Sequence, residues 1–276
     1  MSHEIHQQVT DRILNALVEG LVPWQRPWLG YKNDGPPTNA LTNLPFRGVN
    51  ILLLNLAGFG SKWWATQKVW KVFGFQVKPH QQGTQVVHGE VDNLGTQTVF
   101  NAEQVEGPGI ERYLVTESGQ RRLPAIEAAD RLIVATGADI RHEPRNGALY
   151  YRLPKDYILV PLRSQFEQGR YGVASYYVTV LHELCHASEH RLHWFADPHL
   201  SIKQRYWIGE MRAVFGASFL AAEIGIPDLV KEKERFLPKW IDLMKGDNTM
   251  VCRVAEAASE AVDFILSFSQ QQKQIA

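Results

Sequence analysis

The sequence predicts an α+β protein of two domains. The chain has 276 residues, of which 45% are hydrophobic, so it is long enough to form two ordinary hydrophobic cores. Residues 106–124 are rich in Pro, Gly and charged side chains and show weak periodicity, which is typical of a connection between domains. Helical and strand patterns occur on both sides of this segment. We therefore predict a mixed α/β domain over residues 1–121 and a second domain over residues 122–276.

The first domain is predicted to begin with a helix. Apolar side chains recur at helical spacing over residues 7–19, and Gly20 follows at a position where helices commonly end. A loop rich in Pro, Gly and Asn, residues 23–48, then leads to an apolar segment that we interpret as a buried helix. The later elements expected in this domain are a short helix capped by Thr66 and three strands, at residues 67–73, 75–78, 84–88 and 96–100.

The second domain is predicted to contain a small sheet followed by three helices. A helix over residues 125–136 ends at Gly137, and residues 141–162 alternate like two or three strands with a turn at Asn146-Gly147. The three helices that follow are predicted over residues 173–193, 202–224 and 251–268.

The first of these helices carries an HExxH motif, formed by His182, Glu183 and His186. Histidines four residues apart lie on one helix face, so both imidazoles can bind one Zn²⁺, while the neighbouring glutamate can take a proton from the water that the metal activates. A sheet followed by such a helix is the layout of a zincin-like domain. The motif therefore predicts peptidase-type hydrolase chemistry, with one zinc per chain and Glu183 as the catalytic base. A chance match is the alternative, because the chain contains ten histidines.

A catalytic zinc needs a third protein ligand. Glu210 is the candidate because it is a lone carboxylate on an apolar face of the next predicted helix, where an acid is costly unless a cation pairs with it. The alternative is a solvated glutamate at the edge of the helix. His190 and His193 lie one turn and nearly two turns beyond His186, which is too far for them to share its metal unless the helix breaks.

Three further residues close to the motif each allow two interpretations. Cys185 points away from the histidine face, and we interpret it as a small buried residue rather than a ligand or redox group. Tyr176 and Tyr177 precede the motif by about a turn and a half. They are either core residues or groups that polarise a substrate.

The expected location is the cytoplasm. Cys185 and Cys252 are the only cysteines, which is too few for a disulfide framework and is typical of a reducing compartment. No segment has the length and hydrophobicity of a membrane span, and the N-terminal residues lack the apolar core of a signal peptide. We expect no membrane partner.

Tryptophans are concentrated near the N-terminus, since five of the eight lie within the first 70 residues among basic residues. Aromatic faces stack on unpaired bases, and neighbouring cations contact phosphates. Lys plus Arg equals Asp plus Glu at 29 each, so such a site must be a local patch. A Trp-rich core with solvated lysines is the alternative, and Trp24 and Trp28 are the least core-like. The candidate residues for binding single-stranded DNA are Trp24, Arg26, Trp28, Lys32, Arg47, Lys62, Trp63 and Lys68.

Several longer strings resemble a known family. VPWQRPW at residues 22–28, RGVNILLL at 47–54, QGTQVV at 82–87 and TVFNAEQ at 98–104 resemble the N-terminal domain of ArdC-type antirestriction proteins. YYVTVLHELCH at 176–186 and GEMRAVFGASFLAAEIGI at 209–226 are similar to the metallopeptidase domain of the same family. The resemblance covers nearly the whole chain in the family's domain order.

The resemblance implies a protein of conjugative plasmids or related mobile elements that binds single-stranded DNA and protects incoming DNA from host restriction. By position it also implies a gluzincin-like site, with His182, His186 and Glu210 as ligands and Glu183 as the catalytic base. The chain departs from the family in having Val214 where an acid is usual and in a shorter stretch, ASEHRL, after the second histidine. These departures remove expected support for the ligands and should affect turnover more than metal binding.

Two rival functions remain open from the sequence. The first is a zinc metallopeptidase that processes a specific host or plasmid protein, which the N-terminal domain selects. The second is an accessory protein whose zinc only stabilises the fold.

Overall fold

The computed structural model describes residues 2–25, 33–90, 93–115, 125–144, 146–151, 155–167, 172–194, 198–226 and 236–275. The chain divides into two compact units. The first consists of Met1–Arg122 with Met244–Arg253, and the second of Leu123–Leu243 with Val254–Ala276. The α+β fold class predicted from the sequence is confirmed. The sequence analysis placed one boundary between residues 121 and 122, whereas in the structure Met244–Arg253 belongs with the first unit.

The first unit combines short helices with two small sheets. Its helices are α1 (Ser2–Val18), α2 (Val49–Asn55) and α3 (Gln67–Val72), and its strands are β1 (Thr38–Asn39), β2 (Trp63–Ala65), β3 (Gln76–Val77), β4 (Thr84–His88), β5 (Gly95–Asn101) and β6 (Val105–Glu106). One sheet has the order β1-β2-β5-β4, in which β1 and β2 run parallel and the other pairs are antiparallel. In the second sheet β3 pairs antiparallel with β6.

Tryptophans of this unit form much of its core. Trp64 and Trp70 are fully buried, and the Trp70 indole N–H donates a hydrogen bond to the Phe100 carbonyl at 2.9 Å. Thr66 caps α3 as predicted, because its hydroxyl accepts a hydrogen bond from the Val69 N–H at 3.3 Å. A Trp-rich core is therefore the correct interpretation for these two indoles.

Trp24 is also buried, with 4% of its surface exposed, so the expectation that it is among the least core-like tryptophans is wrong. The side-chain amide of Asn55 donates a hydrogen bond to the carbonyl of Pro23 at 3.1 Å. This bond anchors the residue before Trp24 to α2. Arg26, Trp28 and Lys32 lie outside the described residues.

The segment Met244–Arg253 belongs with the first unit because it is bonded to α1. Thr10 donates a hydrogen bond from its hydroxyl to the carbonyl of Asn248 at 2.8 Å, and the Asn248 amide donates to the side chain of Gln7 at 3.1 Å. Side-chain contacts between distant parts of the chain leave no periodic signal in the sequence, which explains why this segment was placed in the second domain.

The second unit contains a three-stranded sheet and long helices. Its elements are α4 (Ala125–Thr136), β7 (Ile140–Glu143), β8 (Leu149–Tyr151), β9 (Tyr157–Pro161), α5 (Arg163–Glu167), α6 (Gly172–Arg191) and α7 (Ile202–Ile224); α8 (Leu237–Gly246) and α9 (Met250–Ile275) each contribute residues to both units. The sheet order is β7-β9-β8, with β7 parallel and β8 antiparallel to β9. Helix α6 packs against β8, β9 and α7.

Helices α6 and α7 cross closely at Gly216. A Cβ atom at this glycine would lie 2.7 Å from the sulfur of Cys185, so any side chain here would require the packing of the two helices to shift. Cys185 is fully buried, and burial raises the pKa of its thiol to about 12, which agrees with its interpretation as a packing residue. The fully buried Arg212 joins three helices by donating hydrogen bonds to the Cys185 carbonyl at 2.9 Å, the Ser188 hydroxyl at 3.1 Å and the Ala257 carbonyl at 3.2 Å.

Among the described helices, none is both long and apolar enough to span a lipid bilayer.

Candidate functional site

Three side chains of the second unit converge on one point. His182 and His186 lie one turn apart on α6, and their Nε2 atoms are 3.1 Å apart. Glu210 on α7 faces both of them, with one carboxylate oxygen 3.6 Å from the Nε2 of His182 and the other 3.5 Å from the Nε2 of His186. The sequence predicted this set of three, and the fold brings all three together.

The arrangement fits a tetrahedral metal ion. Ligand atoms at about 2.0–2.1 Å from a tetrahedral zinc lie about 3.3–3.4 Å from one another. The distance of 3.1 Å between the two Nε2 atoms and the distances of 3.5 and 3.6 Å from these atoms to the Glu210 oxygens are close to this value. Two imidazoles and one carboxylate also form a donor set that zinc enzymes use, which leaves the fourth position for water or substrate.

The charges at the cluster favour an ionised Glu210. Burial alone would raise the pKa of this carboxyl, but its contacts with His182 and His186 outweigh burial and hold the pKa far below its ordinary value. Burial alone would likewise lower the pKa of His186, but Glu189 and Glu210 outweigh it and raise the pKa to about 9. The site therefore attracts a cation, whether a proton or a metal ion.

Glu183 borders the ligand cluster from the same helix. It is buried, with 6% of its surface exposed, and directly follows His182. Adjacent residues on a helix are about 100° apart, so Glu183 lies beside the histidine face rather than on it. Its role as the residue that takes a proton from the metal-activated water stays a prediction.

His190 and His193 do not join the cluster. Helix α6 continues without a break to Arg191, and both histidines are exposed. Among the described residues, one group of three His, Cys, Asp or Glu side chains has donor atoms close enough together to hold a metal ion. This group is His182, His186 and Glu210.

Glu189 is a site residue that the sequence analysis missed. Its carboxylate is 2.9 Å from the Nδ1 of His186, on the opposite side of the imidazole from Nε2, and only 5% of the residue is exposed. The sequence analysis expected weakened support because Val214 replaces an acid, and Val214 is indeed a buried apolar residue. Glu189, in the string ASEHRL, follows His186 by three residues, and this i, i+3 spacing was the signal that could have revealed the contact.

The two tyrosines before the motif are both buried and hydrogen-bonded. Tyr177 donates its hydroxyl proton to Asp130 at 2.7 Å and accepts a hydrogen bond from Arg163 at 2.6 Å. Burial and the bond to Asp130 raise the pKa of Tyr177 to about 12. The Tyr176 hydroxyl lies 2.9 Å from a ring nitrogen of His142. The network around Tyr177 favours a structural role for that residue.

In the first unit, cations and aromatic rings form a second candidate site. The ammonium group of Lys62 lies 4.7 Å from the ring centroid of Trp63, whose ring meets Tyr113 edge-on at 5.8 Å. The guanidinium of Arg112 lies 5.1 Å from the Tyr113 ring centroid. Both rings are half-buried, so part of each remains accessible. We call Lys62, Trp63, Arg112 and Tyr113 the cation–aromatic cluster.

Asn33 holds this cluster in place. Its side chain accepts a hydrogen bond from the Trp63 indole N–H at 2.7 Å and donates to the carbonyl of Arg112 at 2.7 Å. Arg112 and Tyr113 were not among the predicted residues because they lie in the segment that was interpreted as a connection between domains. Two other candidates, Arg47 before α2 and Lys68 in the first turn of α3, are exposed.

Two family profiles match the chain in succession. The N-terminal domain of anti-restriction factor ArdC matches residues 3–115, and a zincin-like metallopeptidase profile matches residues 127–258. Two curated relatives, both named DNA primase TraC of Escherichia coli, are 30% and 28% identical over 98% of this chain. The chain spans only 28% and 20% of the lengths of these relatives.

Two solved structures of the antirestriction ArdC protein from plasmid R388 have the same fold. The metal-free structure is 27% identical with a TM-score of 0.76, and the match covers 96% of this chain and 98% of that protein. The Mn(II)-bound structure is 30% identical with a TM-score of 0.75, and the match covers 96% and 97%. Together with the two profiles, these matches show that the chain belongs to the ArdC family of antirestriction proteins, with an N-terminal ArdC domain followed by a zincin-like domain.

Proposed function

We propose that this chain protects DNA from restriction by binding it as a single strand through the first unit. Membership in the antirestriction family supports protection, and the names of the curated primase relatives support contact with nucleic acid. The observation that carries the single-strand proposal is the cation–aromatic cluster. The proposed setting is the cytoplasm of a cell that receives a conjugative plasmid or a related mobile element.

The cluster suits unpaired bases better than duplex DNA. Stacking on Trp63 or Tyr113 requires a base whose face is open, and bases in a duplex are already stacked. Lys62 and Arg112 lie against the two rings, and in this proposal their charges contact the phosphates next to a stacked base. Since Trp24 is buried, Trp63 is the more accessible of these two candidate indoles.

The test compares variants of the full chain on short single strands. Replacing Trp63 with Ala should weaken binding by about 1–3 kcal/mol if a base stacks on this ring. Replacing Lys62 and Arg112 with Ala should weaken binding and reduce the slope of affinity against salt by about 1.4, which corresponds to two lost phosphate contacts.

The matched control for the charge changes is Arg131→Ala, which removes an exposed cation from α4 of the second unit. Thermal unfolding identifies any variant that is not folded. Affinity that is equal for single strands and duplex, or unchanged in the folded cluster variants, would remove the cluster from the proposal.

We also propose that the second unit binds one Zn²⁺ through His182, His186 and Glu210. Zinc binds sites of this donor type more tightly than manganese does, as the general order of divalent metal affinities predicts. Glu210→Ala should abolish tight zinc binding, and His190→Ala, a nearby histidine off the cluster, should leave it unchanged. Titration calorimetry with Zn²⁺ and with Mn²⁺ measures both effects, and zinc binding that survives Glu210→Ala but not His190→Ala would exclude this ligand set.

A second candidate function is hydrolysis of a specific host or plasmid protein. It is favoured by the buried Glu183 beside the ligand pair. A zinc ion at this point would supply Lewis-acid chemistry for attack on a peptide carbonyl. His182, His186 and the ionised Glu210 would hold the ion, and Glu183 would accept the proton of the attacking water.

A further inference from the structure

We infer that Glu189 is a positioning residue for the metal centre, which fixes the tautomer and the ring orientation of His186. The inference rests on the proposed metal site, and it adds a fourth residue that neither the HExxH motif nor the ligand set contains. It explains how this chain supports its second histidine although Val214 follows Glu210 by one turn of α7.

The geometry determines where the proton of a neutral His186 lies. A carboxylate oxygen of Glu189 is 2.9 Å from Nδ1, and a carboxylate oxygen accepts the hydrogen bond in such a contact. Nδ1 must therefore carry the hydrogen. The lone pair of the neutral ring is then on Nε2, the atom that faces His182 and Glu210. This is the tautomer that a metal ion at the cluster requires.

The surroundings of Glu189 hold its carboxylate in one place. The residue is 5% exposed and lies against Gly209 on α7, where an added Cβ would be 3.5 Å from the Glu189 carboxylate oxygen. The same turn of α6 is fixed by Arg212, which bonds to the Cys185 carbonyl and the Ser188 hydroxyl. A carboxylate on a fixed helical turn orients an imidazole better than one on a mobile surface residue, because less conformational freedom is lost when the contact forms.

One turn after Glu210, helix α7 carries Val214 rather than a hydrogen-bonding residue. Val214 is apolar and 5% exposed, so it offers no hydrogen-bond acceptor to either imidazole. In this chain the acceptor comes from the metal-binding helix itself, three residues after the ligand that it orients. The site is thereby completed by two helices, with one carboxylate facing Nε2 and the other facing Nδ1 of the same ring.

The test measures zinc affinity of the full chain and of the variants Glu189→Gln and Glu189→Ala. The alanine variant should bind zinc 10–100-fold more weakly, which is the usual effect of removing a hydrogen-bond partner from a metal-binding histidine. The glutamine variant should lose less, since its amide oxygen can still accept the Nδ1 hydrogen. The matched control is Glu223→Gln on α7, which makes the same chemical change at a half-buried glutamate away from the cluster.

A second readout separates positioning from general stability. Nitrogen-resolved NMR of the zinc-loaded wild-type protein should show a slowly exchanging hydrogen on Nδ1 of His186, and this signal should be lost in Glu189→Ala. Melting temperatures in excess chelator should be similar for wild type and Glu189→Gln. If the alanine variant does not fold, the near-isosteric glutamine variant and the wild-type spectrum decide the question.

The outcomes distinguish the inference from the proposal on which it rests. Wild-type zinc affinity in folded Glu189 variants, or zinc binding of His186 through Nδ1, would overturn the role of Glu189 and leave the metal site standing. A wild-type chain that binds no metal would overturn both.

Discussion

The imidazole of His186 lies between two carboxylates, and this decides how metal binding should depend on pH. Its contacts with Glu189 and Glu210 raise its pKa from 6.5 to about 9, against the opposing effect of burial. The ring of the metal-free protein is therefore protonated at neutral pH. A metal ion must displace that proton, because only the neutral imidazole is a ligand.

We therefore expect zinc affinity to increase with pH from 6.5 to about 9 and to level off above this value. At neutral pH, zinc binding should release about one proton from this histidine. Calorimetry in buffers of different ionisation enthalpy counts the protons released. A zinc affinity that does not change between pH 6.5 and about pH 9 would show that His186 is already neutral in the metal-free protein.

Single residues at the metal site were predictable where chemistry and spacing coincide. His182, His186 and Glu210 could be predicted because two histidines four apart and a lone acid on an apolar helix face are unusual unless a cation is present. Glu189 could not be ranked in the same way, since a glutamate at i+3 on a helix is more commonly solvated. The error at Trp24 has a similar cause, because long-range contacts such as the bond from Asn55 to the neighbouring Pro23 are not visible in the local sequence.

At the level of the elements, the metal site depends on how closely α6 approaches α7. The ligands come from both helices, and the crossing at Gly216 and Cys185 sets their separation. Gly216→Ala would place a methyl group 2.7 Å from the Cys185 sulfur. We expect this overpacking to reduce the free energy of unfolding by about 1–3 kcal/mol and to weaken zinc binding, because the helices must separate.

The double variant Gly216→Ala with Cys185→Ala provides the control for this prediction. Removing the sulfur makes room for the new methyl group, so the combined loss of stability should be smaller than the sum of the two single losses. Chemical denaturation of the three variants measures this coupling. Strict additivity would show that the contact between the residues does not limit the approach of the helices.

Long helices were easier to predict than short strands for a physical reason. The bounds of α4 and α7 agree with the sequence prediction, since both have a clear apolar pattern and end at a glycine with positive φ, Gly137 and Gly225. The strands β1 and β6 have two residues each, too few for any alternation to appear. Strand β1 exists because Thr38 pairs with Trp63, a partner that is far away in the sequence.

At the level of the whole molecule, the two candidate sites belong to different units. The ligand cluster lies in the second unit and the cation–aromatic cluster in the first. The boundary near Arg122 that the sequence predicted lies between these two groups of residues, but a fragment of residues 1–121 would lack the segment Met244–Arg253 that is bonded to α1. Experiments that separate DNA binding from metal-dependent hydrolysis are therefore better done with point variants of the full chain.

The variant Glu183→Gln separates the two activities most sharply. Glutamine has nearly the shape of glutamate but cannot take a proton from water, so any peptide hydrolysis should fall by about 10²–10⁴-fold, the usual contribution of a general base. Zinc binding should persist because Glu183 is not one of the three ligand candidates. Single-strand affinity should also be unchanged, since the proposed DNA contacts of the described residues all lie in the other unit.

The same variant then discriminates between the two proposed functions in cells. If protection results from coating the entering strand, Glu183→Gln should protect DNA from restriction as well as the wild-type chain does. Reversal of charge at Lys62 and Arg112 should abolish protection, because phosphates would be repelled from the cation–aromatic cluster. The opposite pattern, in which a folded Glu183→Gln protein binds DNA normally but no longer protects it, would show that restriction is opposed by hydrolysis of a host protein.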